Sequence, residues 1–407
     1  MCRTLTEICR DTHPWSFCHV GSGPIAVQVF CARTFEELTP LAGHWNRLAR
    51  GVPFRSWAWM SGWWRHYGLS SWGRRRKLSL FTLVVLDEAG LPIGIVPWYC
   101  RPTASQGRVL RFLGADEVCG DYLSVLCQPG RKEAVTGALA DWLTDASGRS
   151  PQSSRWDLLE LTGVDAEDAV VGHLAAQLSA RGHVVHRRPG SGCWRIELPA
   201  AWEDYLAILS KSHRKQLRRM ERNLLRTGRV AVHFAEHLSE LDQAAAILVD
   251  LHRRRRQSLG QSGSFASASY LAFHRQVMPE LLTAGQLQLS WISLDEKPVA
   301  AEYHLASSGV VYAYQSGVDP EALPLSPGRL SHLVAIRRAI EQGYRAFDFL
   351  RGDEPYKAHW RGRPRATVEV RVAAARPAAW LRHGIWLAGS SVKQWLKSGL
   401  VGLRVES

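Results

Sequence analysis

The chain has 407 residues, with 46% hydrophobic and 22% charged residues, which is the composition of an ordinary folded protein of about two or three domains. It contains no apolar run long enough for a membrane-spanning helix, and the first residues lack the apolar core of a secretory signal. The formal net charge of +14 predicts an anionic partner, such as nucleotide phosphates, RNA, an anionic lipid surface or a phosphorylated sugar precursor.

The eight cysteines are scattered and form no C-x-x-C pair, which argues against a zinc site or a disulfide framework. We expect them to be reduced, and we therefore expect a cytoplasmic protein without a metal. Peripheral association with the inner face of the membrane is an open alternative.

The first half of the chain predicts an α/β domain over residues 25–200, after an irregular lead-in over residues 1–24. Two apolar strands are joined by a turn at Asp87–Gly90, where glycine supplies the left-handed conformation that tight turns need. The other predicted elements are a strand at Ile25–Cys31, helices near 35–50 and 56–68, strands at Val109–Leu113 and Tyr122–Cys127, a helix at 131–144 and a strand at Trp156–Leu161.

Residues 201–237 connect the halves and include a helix predicted over Asp204–Leu225. One face carries a stripe of cations, and leucines occupy the opposite face. A counter-anion would offset the repulsion within the stripe, so we predict an anion-binding surface, with a solvated face without a partner as the alternative. The predicted anion-binding residues are Lys211, Arg214, Lys215 and Arg218.

The second half, over residues 238–376, repeats the order of elements in the first half. It has two helices near 238–258 and 267–284, three strands between Leu287 and Val318, a helix near 327–341 and a strand at Arg345–Leu350. This repeated pattern predicts two similar α/β domains with mixed sheets and excludes an all-parallel sheet. Residues 377–407 are predicted to form an amphipathic helix that lies either on a membrane surface or on the protein.

The loop before the predicted helix at 327–341 ends in Ser326-Pro327-Gly328-Arg329. Serine is a good N-cap, and the free amides of a helix N-terminus attract anions. A pyrophosphate would fit there, although many such helix starts bind nothing.

The strands of the second half carry polar side chains in alternation. Glu302 and His304 share one face of their strand, and Tyr312, Tyr314 and Ser316 share a face of the next. Together with Asp348 they predict a polar lining over the centre of the sheet. The alternative is a solvated Glu302 beside packed tyrosines.

The segment 344–360 is the most informative stretch. A buried strand breaks at Gly352 and is followed by a dense polar cluster, as in many catalytic clefts. A surface turn that caps a helix is the alternative. The cluster consists of Asp353, Glu354, Tyr356, Lys357 and His359.

These motifs resemble the GNAT acetyltransferase superfamily in its tandem form, over about residues 25–374. The chain is most similar to cellulose-biosynthesis-type acetyltransferases, which are similar to the Fem peptidyltransferases. The motifs that carry the resemblance are Lys211–Arg219, Tyr314–Gly317, Leu325–Gly328, Phe347–Lys357 with Trp360, Phe112–Gly114 and Asp121–Leu123.

The resemblance implies two GNAT-like acyltransferase domains and transfer of an acyl group from acyl-CoA, usually acetyl-CoA, to an amine. The acceptor would be a small molecule or a glycan precursor, for an envelope polysaccharide or the cell wall. Fem relatives, which share the departure from the usual glycine pattern at Ser326–Arg329, take aminoacyl groups from tRNA instead. A non-catalytic component of exopolysaccharide assembly is the third alternative.

Each candidate residue receives a role from this resemblance. Glu302 or Asp348 would accept the proton of the attacking amine, and Tyr314 would donate to the departing sulfur. Lys357 would stabilise the oxyanion or a carboxylate or phosphate of the substrate. The CoA-binding residues would be Ser326, Gly328, Arg329 and Leu330. The substrate-binding residues would be Asp121, Tyr122, Ser316, Asp353 and Tyr356.

Overall fold

The structure, a computed structural model, describes residues 18–19, 27–70, 74–145 and 156–402, with the backbone alone for 18–19 and 390–402. The predicted irregular lead-in at 1–24 therefore lies outside the described residues, apart from a two-residue strand. The strands, in chain order, are β1 (Cys18–His19), β2 (Gln28–Ala32), β3 (Ser79–Leu80), β4 (Thr82–Leu86), β5 (Pro92–Val96), β6 (Trp98–Thr103), β7 (Gly107–Phe112), β8 (Leu126–Cys127), β9 (Leu158–Asp165), β10 (Val184–Pro189), β11 (Cys193–Glu197), β12 (Val230–Phe234), β13 (Leu287–Leu294), β14 (Lys297–Ser307), β15 (Val310–Val318), β16 (Ala346–Arg351), β17 (Arg363–Arg365) and β18 (Thr367–Ala373).

The α-helices lie between these strands at the places that apolar periodicity predicts for most of them. They are α1 (Ala42–Leu48), α2 (Trp57–Trp63), α3 (Lys132–Thr144), α4 (Ala169–Ala180), α5 (Trp202–Ile208), α6 (Lys211–Asn223), α7 (Leu238–Ser258), α8 (Ala268–Thr283), α9 (Pro327–Glu341), α10 (Pro355–His359) and α11 (Pro377–Gly402). Within the described ranges, no helix combines the length and the apolarity needed to cross a bilayer.

The strands form three sheets, with the orders β1-β2-β4-β5-β8, β10-β18-β9-β7-β6-β3 and β12-β13-β14-β15-β16-β11-β17. Most neighbours are antiparallel, but β7 pairs with β9 and β15 pairs with β16 in parallel. In each half a helix, α3 or α9, precedes the second strand of that parallel pair. This arrangement confirms the mixed α/β class and the repeat of one plan in both halves.

The two halves exchange a strand. β11, from the predicted first domain, lies between β16 and β17 in the sheet of the second half. β18, from the predicted second domain, lies between β10 and β9 in the sheet of the first half. β11 lies next to β16, the second strand of the parallel pair in its sheet. β18 lies next to β9, which has the same place in the other sheet, so the exchanged strands occupy equivalent positions. The predicted boundaries at residues 200 and 376 stay a prediction, but each of the two larger sheets contains strands from both predicted domains.

The predicted helix over Asp204–Leu225 is wrong as a single element, because it divides into α5 and α6. Leu209 takes an extended conformation between them, and the Ser210 side chain accepts a hydrogen bond from the His213 amide as the N-cap of α6. The predicted strand at Tyr122–Cys127 is also too long. Tyr122 has a φ of 57°, which is incompatible with a strand, and only Leu126 and Cys127 remain in β8.

A common core joins the halves. Trp59 of α2 packs edge-on against Phe273 of α8 and against Tyr314 of β15, with ring centroids 4.9 and 5.3 Å apart. Phe54 contacts Tyr312 in the same way. The tryptophan-rich helix of the first half therefore packs against the second sheet and contributes to the common core.

Candidate active site

A cleft opens where the two parallel strands of the second half separate. β15 and β16 pair from Val310↔Ala346 to Tyr312↔Asp348, and the described pairing ends there. A bulge opposite Tyr303 and His304 shifts the register of β15 just beyond that point. Bulges of this kind re-aim side chains and are common beside active sites. The cleft has a volume of about 250 Å³ and lies between residues 313–316 and 349–351.

Glu302 of β14 lines the cleft, and its carboxylate is buried. It accepts hydrogen bonds from the hydroxyl of Ser331 and, at 3.2 Å, from His304 Nε2. Burial alone would raise the pKa of Glu302, but the His304 hydrogen bond and the neighbouring His332 outweigh it and lower the pKa below its ordinary value. Glu302 is therefore ionised at neutral pH, and its two histidine neighbours come from different elements.

His332 of α9 lines the same cleft and was missed by sequence reasoning. Its Nε2 lies 3.9 Å from Glu302 Oε1, and its ring stacks on Tyr356 with a centroid distance of 5.2 Å. Burial lowers the pKa of His332, although Glu302 opposes the shift. The imidazole is thus neutral at neutral pH and able to accept a proton. The sequence did contain a signal for His332, because this residue lies one helical turn after the predicted anion site at Ser326–Arg329.

Asp348 lies on the opposite face of the sheet from Glu302, which corrects the predicted common lining. Phe347 and Phe349 face α9, so alternation turns Asp348 toward the first half, where it is fully buried. Its carboxylate accepts 2.8 Å hydrogen bonds from the Tyr122 hydroxyl and the Leu350 amide. Burial raises the pKa of Asp348 to about 6 despite these donors. It does not line the cleft, and its role as a base stays a prediction.

Tyr314 lines the cleft, but its hydroxyl points into the core between the halves. It donates to the Val118 carbonyl at 2.8 Å and lies 3.0 Å from the Tyr270 hydroxyl and 3.2 Å from His274 Nε2. A phenol has one proton to donate. Donation to a departing sulfur, which stays a prediction, would require that this network rearrange.

Lys357 of α10 is buried against the end of β16. Its ammonium donates to the carbonyls of Leu350, Arg351 and Gly352 at 3.2, 2.7 and 3.1 Å and pairs with Glu354 at 2.9 Å. An ammonium has three protons, and these four acceptors already exceed them. The geometry is that of a positioning residue for the strand end, and the oxyanion role stays a prediction.

The candidate residues of the first half, Asp121 and Tyr122, contact the second half through an ion pair and a hydrogen bond. Asp121 lines the cleft and forms an ion pair with Arg351, with Arg351 Nη2 2.7 Å from Asp121 Oδ1. Burial raises the pKa of Asp121, and Arg351 opposes the shift. Neighbouring Tyr122 contacts Asp348 rather than the cleft. Asp121 and Tyr122 therefore hold the halves together, whatever substrate they contact.

The other predicted substrate residues separate into two groups. Ser316 and Tyr356 line the cleft and are exposed enough to contact a ligand. Asp353 lies outside the cleft and accepts a 3.3 Å hydrogen bond from Trp194 Nε1. Further cleft residues that sequence reasoning did not propose as site residues are Cys119, Arg256, Gln315, Arg351 and Glu354.

The predicted CoA-binding residues lie at the start of α9, one turn before His332. Ser326 has a left-handed backbone with a φ of 55° and no side-chain capping bond. The amides of Arg329 and Leu330 both donate to the Ser326 carbonyl, at 3.0 and 3.1 Å. The Leu330 side chain is buried in the core, so only its backbone could face a ligand. A Cβ on Gly328 would lie 3.7 Å from Val318 Cγ1, which is an ordinary van der Waals contact.

The predicted anion stripe is exposed along α6. Lys211, Lys215 and Arg218 point outward, while Arg214 is half-buried and Arg218 is paired with Glu203 at 2.8 Å. Leu217 is buried on the opposite face, as predicted. The stripe is therefore available to an anion. In the described part of the chain, no cluster of His, Cys, Asp or Glu has the arrangement of a metal site.

Comparisons with known proteins agree with this geometry. The family model described as an acetyltransferase (GNAT) domain matches residues 211–358. The solved structure titled "Crystal structure of FemX" is similar with a TM-score of 0.57 and 9% identity, over 84% of this chain and 98% of that chain. A conserved protein of unknown function from Bacteroides thetaiotaomicron VPI-5482 has a TM-score of 0.52 and 10% identity, over 88% and 99%. Among curated proteins, none matches the sequence significantly.

Because the sequence identities are low, the similarity to solved structures shows the fold alone. The family model matches the sequence itself, over residues 211–358. The cellulose-biosynthesis-type group stays a prediction. The predicted fold of two GNAT-like domains in tandem is confirmed, and residues 211–358 match an acetyltransferase (GNAT) domain.

Proposed function

We propose that the protein is an N-acyltransferase that moves an acyl group, such as acetyl, from acyl-CoA to an amine. The supporting observation is the cleft between the separating strands β15 and β16, with ionised Glu302 and neutral His332 beside it. The proposed acceptor is the amine of a small molecule or of a glycan precursor. The precursor would serve the synthesis of the cell wall or of an envelope polysaccharide such as cellulose. A cytoplasmic location is part of this proposal, in keeping with free cysteines such as Cys100 and Cys193.

The chain's own residues supply the proton chemistry. A primary amine arrives largely as an ammonium and becomes nucleophilic only after it loses a proton. His332 can take this proton on its ring, and the Glu302 carboxylate 3.9 Å away stabilises the resulting imidazolium. An acyl thioester supplies an activated carbonyl and a thiolate leaving group. Backbone amides along the unpaired edge of β15 can donate to the oxygen that gains charge.

The start of α9 fits a CoA pyrophosphate in part. Gly328 has no side chain to obstruct a ligand that approaches its backbone, and Arg329 adds a positive charge. The amides of Arg329 and Leu330 already bond to Ser326, however, so fewer donors are free than at an open helix start. Arg329 and the Gly328 amide would therefore carry most of the contact with the pyrophosphate.

The test is an assay of the full chain with acetyl-CoA and a panel of amino sugars and amino acids. Thiol release would be followed continuously, and the products would be identified by mass spectrometry. We expect turnover with at least one acceptor and a loss of roughly 10-fold or more in Glu302→Gln, because the imidazolium that forms on His332 loses the neighbouring negative charge that stabilises it. Glu341→Gln, at an exposed position on α9, is the matched control. Absence of thiol release with every acceptor would contradict the proposal.

A Fem-like, aminoacyl-tRNA-dependent peptidyltransferase is the second candidate, and the exposed stripe on α6 favours it. A polynucleotide would contact several cations of the stripe at once, and its affinity would fall steeply with salt. Lys211, Lys215 and Arg222 are exposed cations of α6, and the triple variant Lys211→Ala, Lys215→Ala, Arg222→Ala should then weaken binding of charged tRNA and leave the KM for acetyl-CoA unchanged. Binding of neither donor would favour the third alternative, a non-catalytic component of exopolysaccharide assembly.

A further inference from the structure

The described part of α11 presents an apolar face to solvent. Trp380, Leu381 and Ile385 lie on the same side of the helix, and their side chains are 46%, 67% and 65% exposed. The opposite side is docked on the protein through buried Ala379 and His383. Three large apolar side chains exposed within two helical turns form a patch of the kind that marks an interaction site.

A basic pocket lies at the end of β6. It has a volume of about 370 Å³ and is lined by the segment 75–77 and residues 101–104. Its cations are Arg75, Arg76, Lys77 and Arg101, and no carboxylate lines it. In the part of the chain that the structure describes, Arg75, Lys77 and Arg101 form no ion pair. Three cations without ion pairs around one pocket are suited to bind a phosphate group.

The pocket and the apolar face belong to one surface, because the β6–β7 hairpin connects them. Thr103 lines the pocket, and its hydroxyl donates to the carbonyl of Gly107 at 3.3 Å. A side chain on Gly107 would come within 2.6 Å of the guanidinium of Arg382 in α11. Asp157 reinforces the junction, since it lies 3.6 Å from Arg382 and accepts a hydrogen bond from the Arg108 amide.

We propose that this surface, called here the α11 surface, binds an anionic lipid bilayer. Phosphates of lipid headgroups would occupy the pocket, and the apolar side chains would enter the interfacial region, where tryptophan is favoured. A nucleic acid backbone would match the cations but offers no counterpart to the apolar face, so the combination favours lipid. The α11 surface consists of Arg75, Lys77, Arg101, Trp380, Leu381 and Ile385.

The test is flotation of the full chain with two kinds of vesicle. One contains phosphatidylglycerol and phosphatidylcholine in equal parts, and the other contains phosphatidylcholine alone. We expect binding to the anionic vesicles only. Because each cation near an anionic surface contributes about 1 kcal/mol, Arg75→Ala, Lys77→Ala, Arg101→Ala should lower the partition coefficient roughly 100-fold.

The apolar variant separates insertion from charge. Trp380→Ser, Leu381→Ser, Ile385→Ser should lower the partition coefficient roughly 10-fold or more, since it removes the inserted side chains and no charge. The matched control is Lys211→Ala, Lys215→Ala, Arg222→Ala on α6, which removes the same charge elsewhere and should retain most of the binding. Thermal melting of each variant checks that it folds.

Two results would overturn the proposal. The first is an equal loss in the α6 control, which would mean that net charge rather than this surface drives binding. The second is binding of homopolymeric RNA that the pocket variant abolishes and the apolar variant leaves unchanged, without binding to vesicles. That result would assign the pocket to a nucleic acid.

Discussion

Tyr122 in the first half donates a 2.8 Å hydrogen bond to the buried carboxylate of Asp348 in the second half. Tyr122 reaches it from a left-handed backbone position, one residue after Asp121 forms its ion pair with Arg351. Consecutive residues of one loop thus bind both a carboxylate and a guanidinium of β16. The strand that borders the cleft is held from the first half, so the first half positions the site even if it contacts no substrate.

Tyr122→Phe should destabilise the protein by about 1–3 kcal/mol, because it leaves the buried Asp348 carboxylate without one of its donors. The measurement is the free energy of unfolding in urea at neutral pH. Tyr344→Phe is the matched control, since Tyr344 is half-buried and its hydroxyl accepts a 3.2 Å hydrogen bond from the Gln288 side-chain amide. Equal small losses in both variants would contradict the importance of the Tyr122 bond.

The contribution of Asp348 to stability should depend on pH. Its pKa is raised from 3.8 to about 6 in the folded state, so the folded protein binds more protons than the unfolded chain between these values. Stability from this group is therefore greatest below pH 3.8 and is lost as the pH rises to about 6. The free energy of unfolding of Asp348→Asn should therefore increase relative to that of the wild type as the pH rises through this window, by up to about 3 kcal/mol. A difference that is constant with pH would refute the assignment.

Lys357→Met should destabilise the protein by about 2–4 kcal/mol, because three backbone carbonyls at the end of β16 lose their shared donor. Glu354→Gln removes only the exposed partner of the ammonium and should cost less than about 1 kcal/mol. Urea unfolding of both variants checks the difference. If Lys357 acted in catalysis without holding the strand, Lys357→Met would lose activity at unchanged stability.

The pH dependence of kcat/KM should distinguish the two groups of the proposed acid–base pair. If neutral His332 is the base, the acidic limb should fall below pH 6.5, the ordinary value for histidine, because burial lowers its pKa. Glu302→Gln removes the charge that opposes this shift, so the limb should move to still lower pH. If Glu302 itself is the base, Glu302→Gln should abolish the limb together with most of the activity.

Local pattern accounts for much of the fold. Apolar periodicity predicted α3, α7, α8 and α9 within a few residues, because each of these helices buries one continuous face. It failed at Leu209, where an N-cap serine divides one basic amphipathic pattern into two helices. It also missed α4, β10, β17 and β18, although the alternation of Val368, Val370 and Val372 with charged residues in β18 is a clear strand pattern.

By itself the sequence determined the class of the fold, the repeat of one plan, and the strand ends at which polar side chains gather. Only the tertiary structure decided which of these side chains meet. The exchange of β11 and β18, the burial of Asp348 against Tyr122, and the meeting of Glu302 with His332 all join residues far apart in the chain. Periodicity reports the face on which a side chain lies, but the neighbour across that face depends on how the elements pack.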